Sequence, residues 1–139
     1  MPSSLTDADY LALAEFRFSL RQFQAFSEQK AEECGLTPQQ HQALLVIRAA
    51  PAGTATIGYV AERLILKPHS ATGLVNRLVA LDFVQRGRSH GDKRQAVLAL
   101  TGAGHETLAA LSATHREEIR RLGPLLIGLL AKVQDQGLQ

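Results

Sequence analysis

Two stretches decide the fold: Ala61-Glu62-Arg63-Leu64-Ile65-Leu66-Lys67-Pro68-His69-Ser70-Ala71-Thr72-Gly73-Leu74-Val75-Asn76-Arg77-Leu78, and the following Phe83-Val84-Gln85-Arg86-Gly87-Arg88. Lys67-Pro68 interrupts one short helical pattern and restarts another, because proline suits the first helical position and biases the residue before it away from helix. In the restarted pattern Ala71, Leu74, Val75 and Leu78 share one face, which packs against the preceding helix. His69, Thr72, Gly73 and Asn76 point the other way. The period then changes. Phe83 to Arg88 reads as a short strand and Ala96 to Leu100 as another, with Ser89-His90-Gly91-Asp92-Lys93 as the turn between them. Two short helices joined tightly and followed by a basic hairpin have the layout of a winged helix-turn-helix.

The charge is concentrated in the same place. From Arg63 to Arg94 seven basic residues stand against two acidic ones, whereas the rest of the chain has eight basic and eleven acidic residues. Such a cationic segment in an otherwise mildly acidic chain is the footprint expected of a nucleic-acid surface, the plainer reading being a solvated basic face. A helix fits the major groove of B-DNA with its N-terminal N–H groups near phosphates, and a hairpin beside it can reach the adjacent minor groove.

Outward from this centre the pattern is helical. Thr6 or Asp7 caps a first helix that runs to about Cys34, where Gly35 stops it. Leu13, Phe16, Leu20 and Phe23 form one apolar strip and Leu11, Phe18 and Ala25 a second; with Phe26, four of the five phenylalanines lie here. Thr37-Pro38-Gln39-Gln40 starts a second helix with a capping box, and its core positions are Leu44, Leu45 and Ile47. Thr54 or Thr56 begins a third helix through Val60, Ala61, Leu64 and Ile65. Thr101 caps a fifth, with Leu108, Leu111, Ile119 and Leu122 apolar, until Gly123-Pro124 breaks it. A sixth segment, Leu125 to Val133, is apolar on almost all sides, and its expected cover is a second subunit.

The composition of the 139 residues, 45% hydrophobic and 20% charged, is that of one globular domain able to bury a core without a disulfide or a structural metal. The run Leu125 to Ala131 is far below the roughly 20 residues that span a bilayer. Met1 to Asp7 shows no basic-then-apolar leader, so a cytoplasmic location is expected. The single cysteine, Cys34, excludes an intrachain disulfide and fits a reducing compartment. His41, His105 and His115 are not at metal-pair spacing, and no nucleophile, base and orienting group stand at recognisable intervals; neither a cofactor nor an enzyme is expected. Gly102-Ala103-Gly104 resembles a dinucleotide fingerprint only superficially, since Thr107 takes the third glycine's place and no parallel strand follows.

These residues resemble the MarR family of bacterial transcriptional regulators. Ala61-Glu62-Arg63-Leu64 and Leu74-Val75-Asn76-Arg77-Leu78 look like its helix-turn-helix, and Phe83-Val84-Gln85-Arg86 like the strand leading into its wing. Asp92-Lys93-Arg94 with Leu100-Thr101-Gly102-Ala103-Gly104 is similar to its D-x-R wing and the L-T-x-x-G that opens the next helix. The resemblance implies a mostly α protein, a winged helix-turn-helix with a small antiparallel β-wing and long dimerisation helices. Residues 37–101 would be the DNA-binding lobe, and residues 6–34 and 102–139 the dimerisation helices. It further implies a homodimer on pseudo-palindromic promoter DNA, usually a repressor released by a small aromatic ligand or by oxidation. Three positions depart from the pattern: Ile65 stands where a turn glycine is common, Lys67 where a capping hydroxyl is, and Gly73 where an arginine often contacts DNA.

On this reading Ser70, Thr72 and Asn76 have the donors and acceptors to meet base edges or phosphates, and Gly73 lets the helix backbone approach the duplex. Lys67, His69, Arg86, Arg88 and Lys93 are expected beside phosphates, and Arg77 either there or bracing the wing. Arg94 is expected in the minor groove, with Asp92 two residues before it as its orienting carboxylate. Arg17, Arg21 and His41, with the phenylalanines, are candidates to line an effector crevice. The alternatives are a winged helix that docks protein instead of DNA, and a cysteine-based redox regulator. Against the latter, Cys34 closes the first helix, whereas the resemblance would place a sensing cysteine near its start.

Overall fold

A computed structural model describes residues 4–88 and 96–137. Asp92, Lys93 and Arg94 therefore lie outside the described residues. The elements in chain order are α1 (Asp7–Glu33), α2 (Pro38–Ala49), α3 (Ile57–Leu64), α4 (Pro68–Ala80), β1 (Val84–Arg88), β2 (Ala96–Leu100) and α5 (Gly102–Gly137). The fold is thus mostly helical with one small antiparallel ribbon, Val84 opposite Leu100 and Arg88 opposite Ala96. The chain divides into two compact units: Lys30–Ser112, and Met1–Gln29 with Ala113–Gln139. Among the described residues no helix is long and apolar enough to cross a membrane.

Local chemistry sets the element ends within Lys30–Ser112. At the end of α1, Gly35 takes a left-handed φ of +76°. This lets the Leu36 N–H reach back to the Ala31 carbonyl at 2.9 Å, so the chain turns and buries Leu36. Thr37 Oγ1 accepts from the Gln40 N–H at 3.1 Å while Gln40 Oε1 accepts from the Thr37 N–H at 3.0 Å, the reciprocal capping box expected of this tetrapeptide. Thr56, not Thr54, caps α3 by accepting from the Tyr59 N–H. The core collects Ala43, Leu44 and Ile47 of α2, Val60 of α3, Leu74, Val75 and Leu78 of α4, Val84, Leu98 and Leu100 of the ribbon, and Leu108 and Leu111 of α5. Burying a side chain such as Leu44 or Leu78 stabilises the fold by about 1.5–3 kcal/mol.

The ribbon is fastened at its base. Asp82 takes a left-handed φ of 64°. Its carbonyl accepts from Thr101 Oγ1 at 2.6 Å, and the Phe83 carbonyl accepts from the Thr101 N–H at 3.0 Å. Thr101 Oγ1 also caps α5, accepting from the Gly104 N–H at 3.1 Å. A Cβ on Gly104 would collide with the Phe83 carbonyl oxygen, so only glycine allows α5 to start this close to the strand. The Leu98 N–H donates to the Ala55 carbonyl at 2.7 Å, joining the segment that leads into α3 to the outer side of β2.

The residues of the other unit form two helical lengths. Ser27 Oγ and His115 Nε2 lie 2.8 Å apart in a buried pair. The edges of Phe23 and Phe26 meet the His115 ring at centroid distances of 5.9 and 5.6 Å. On α5, Arg121 hydrogen-bonds Glu118 three residues earlier and so holds its carboxyl below the usual carboxylate range. Leu11, Leu13, Phe18 and Leu20 of α1 and Leu125, Ile127 and Leu130 of α5 remain exposed in the single chain.

Several expectations are corrected. Gly123-Pro124 does not end a helix: α5 runs unbroken for 36 residues with Pro124 inside it, and there is no separate sixth segment. Proline removes one hydrogen bond, that to the Arg120 carbonyl, and both residues are on the exposed side, where water can take its place. Leu45 and Ile119 are exposed rather than core, and Ile65 lies beyond α3 in the turn, its side chain in solvent.

Replacing Gly104 by Ala is expected to cost about 1–3 kcal/mol by forcing the helix start off the strand, and Thr101→Ala about 1 kcal/mol through the lost cap. Gly102→Ala, where a Cβ meets nothing within 4 Å, serves as the control and should not destabilise. Chemical denaturation of the three variants checks this.

Candidate nucleic-acid interface

The site is built on the outer face of α4. Ala71, Leu74, Val75 and Leu78 bury the inner face, and this fixes His69, Ser70, Thr72, Gly73, Asn76 and Arg77 in exposed positions. The start of α4 differs chemically from those of α2 and α3. Lys67 holds the N-cap position with extended backbone (φ −67°, ψ 145°) and makes no side-chain cap. The first intrahelical bond is from the Ala71 N–H to the Lys67 carbonyl at 3.1 Å, which leaves the His69 and Ser70 N–H groups without an acceptor in the helix. These N–H groups and the helix dipole favour an anion at this end.

Individual side chains refine the sequence reading. Thr72 Oγ1 donates to the Pro68 carbonyl at 3.0 Å, so its hydroxyl proton is engaged and its oxygen is left as an acceptor. Asn76 is not simply an outward-facing amide: its Oδ1 accepts from Arg86 Nη2 of β1. Helix and ribbon are thereby tied on their exposed side as well as through the core. Arg86 stands opposite Leu98, and the β1 backbone carries Arg88 opposite Ala96. Gly73 sits mid-face, and a Cβ there would meet nothing within 4 Å. Among the described residues no packing calls for glycine at this position.

Beside α4 lies a cleft of about 590 Å³, lined by Gln39 and Gln40 from the start of α2 and by His69, Ser70, Gly73 and Arg77. Sequence reasoning recognised the Thr37-Pro38-Gln39-Gln40 cap but missed that Gln39 comes to the edge of the α4 face, because the two segments are thirty residues apart and only packing brings them together. Arg77 lines the same cleft. Among the described residues the ion pairs are Lys30–Glu33, Arg120–Glu117 and Arg121–Glu118. None uses Lys67, Arg77 or Arg86, so the charge of this face is not neutralised by those pairs.

Arg17 and Arg21 are exposed on α1 in one unit, and His41 is buried on α2 in the other. Cys34 is exposed, just past the end of α1.

The face described above falls within residues 35–95, which match the family model described as MarR family. Through this segment the chain is similar to the MarR family. The fold agrees over nearly the whole length. The Staphylococcus aureus MepR–DNA complex superposes with a TM-score of 0.70 at 20% identity, covering 96% of this chain and 97% of that one. AbsC, a MarR family transcriptional regulator from Streptomyces coelicolor, gives 0.71 at 19% identity, with 99% of each chain covered. YusO from Bacillus subtilis gives 0.63 at 23% identity, covering 94% and 96%. No curated protein matches the sequence significantly. In this chain the L-T-x-x-G at Leu100–Gly104 has a physical reason in the Thr101 cap and the close approach of Gly104.

Gly73→Ala is expected to raise stability by about 0.5–1 kcal/mol, because alanine is the better helix former and has room. A lower midpoint in urea would show that the glycine is needed by the fold itself.

Proposed function

We propose that the chain is a sequence-specific double-stranded-DNA-binding transcriptional regulator that acts as a homodimer, and that it is a repressor responsive to a small aromatic or phenolic effector. The observation that carries this reading is the outer face of α4, polar and uncapped at its start, bare at Gly73, and tied through Asn76 to the arginine of the adjacent strand. The similarity to MepR, which is solved with DNA, supports the same assignment.

In this reading the start of α4 enters the major groove. Ser70, Thr72 and His69 face base edges and phosphates there, and Gly73 permits close backbone approach. Lys67, Arg77, Arg86, Arg88 and Lys93 meet phosphates, and Arg94, oriented by Asp92, reaches the minor groove. Asn76 serves chiefly to position Arg86. Lys30–Ser112 is the DNA-binding part, and the exposed leucines, Ile127 and Phe18 of the other unit supply the apolar surface that a twin chain would cover. Two such faces would meet successive major grooves about 34 Å apart, on an inverted repeat. The effector would act by binding better to one spacing of the two faces than to another, with Arg17, Arg21 and His41 as candidate contacts.

The test is fluorescence anisotropy with duplexes of the DNA flanking the protein's own coding region, across a salt series. Affinity should fall linearly in a log–log plot as phosphate contacts release counterions. Arg86→Ala should reduce the salt slope by about 1 and weaken binding on all sequences. Asn76→Ala should weaken it too, and the double variant should lose less than the sum of the two, since both act through one contact. Gly73→Ala should bind more weakly although the fold is more stable. A protein that binds no such duplex above the level of a neutral protein of the same size ends this reading.

A further inference from the structure

The turn between α3 and α4 is closed by backbone groups alone. The Ile65 N–H donates to the Glu62 carbonyl at 3.2 Å and the Leu66 N–H to the Ala61 carbonyl at 2.8 Å. Leu66 packs against the core. Ile65 contributes no side-chain packing of this kind: it holds φ 55° and ψ 50°, and 92% of it is exposed. The left-handed region is unfavourable for any residue with a Cβ and is a genuine outlier for a β-branched one. The fold uses the left-handed turn, which glycine would supply without strain, but makes no use of the isoleucine side chain: placing it there costs both backbone strain and a solvated aliphatic group. A β-branched side chain kept at such a position, where the fold does not pack it, points to use in a complex.

The surroundings indicate which complex. Ile65 lies two residues before Lys67, at the uncapped start of α4, and its exposed neighbours Glu62, Arg63, Lys67 and Pro68 are polar, charged or proline. A protein-docking surface would be a contiguous apolar patch. An isolated aliphatic group between cations instead suits the edge of a nucleic-acid duplex, where thymine methyl groups and deoxyribose carbons lie among phosphates. We propose that Ile65 is a DNA-contact residue, its side chain packing on the apolar edge of the duplex beside the start of α4. This rests on the functional reading above.

The experiment compares the wild type with Ile65→Gly, Ile65→Asn and Ile65→Leu on the same flanking duplex, by thermal unfolding and by anisotropy over a salt series. Gly and Asn relieve the strain, so both variants should melt about 2–5 °C higher. Both should nonetheless bind with a dissociation constant about three- to tenfold larger, the loss expected from leaving an aliphatic side chain half-buried no longer. The leucine variant keeps the apolar contact and should stay close to wild-type affinity. The salt slope should be unchanged in all three, because no phosphate-neutralising cation is removed. Gly and Asn variants that bind within twofold of wild type, a leucine variant as weak as asparagine, or a reduced slope would each overturn the proposal. Unchanged DNA affinity together with altered output in purified transcription would overturn it in favour of a protein partner. A wild type that binds no duplex would instead bring down the functional reading itself.

Discussion

The closest constraint in the chain is the meeting of Gly104 with the carbonyl of Phe83. A side chain as small as a methyl group does not fit there, and two hydrogen bonds from Thr101, to the Asp82 and Phe83 carbonyls, hold the two segments in that position. This junction fixes where α5 begins and where β1 leaves α4. It thereby sets the height of the ribbon against the helix whose outer face forms the candidate site. Because strand pairing has a period of two, a slip of one residue at this junction would move Val84 off the core face and carry Arg86 away from its partner Asn76. The placement of one basic side chain thus depends on a glycine eighteen residues further along the chain.

The face that results is defined as much by what is withheld as by what is present. Threonine hydroxyls cap α2, α3 and α5, whereas α4 starts with a lysine that caps nothing. Its first N–H groups, the engaged hydroxyl of Thr72, the bare backbone at Gly73 and the cations outside the observed ion pairs together make an electropositive and sterically open surface. Such a surface costs stability locally and gains nothing within the single chain. That is the pattern expected where a fold gives up local optimisation for a partner.

Much of this was legible in the sequence because the signals were local. The capping box at Thr37–Gln40, the stop at Gly35, the inner face of α4 and the two strands each depend on residues within one or two turns of each other. The failures involved longer range or competing terms. Pro124 reads as a helix end, but one missing hydrogen bond on an exposed side did not outweigh the helical residues on either side. Leu45 and Ile119 have core chemistry and exposed positions, since hydrophobicity alone does not say which stripe of a helix meets a neighbour. Ile65 was read as the end of α3, and its left-handed conformation could not be inferred because its side chain argues against it. The tie between Asn76 and Arg86 and the approach of Gln39 to α4 are products of tertiary packing, with no trace in spacing.

The empty space around Gly73 has an evolutionary corollary. A position in the middle of the candidate face that the scaffold leaves unconstrained is one where side chains can be exchanged without penalty to folding. Descendants of this chain could acquire a new reading preference there in a single step, while Thr101 and Gly104 would have to stay as they are.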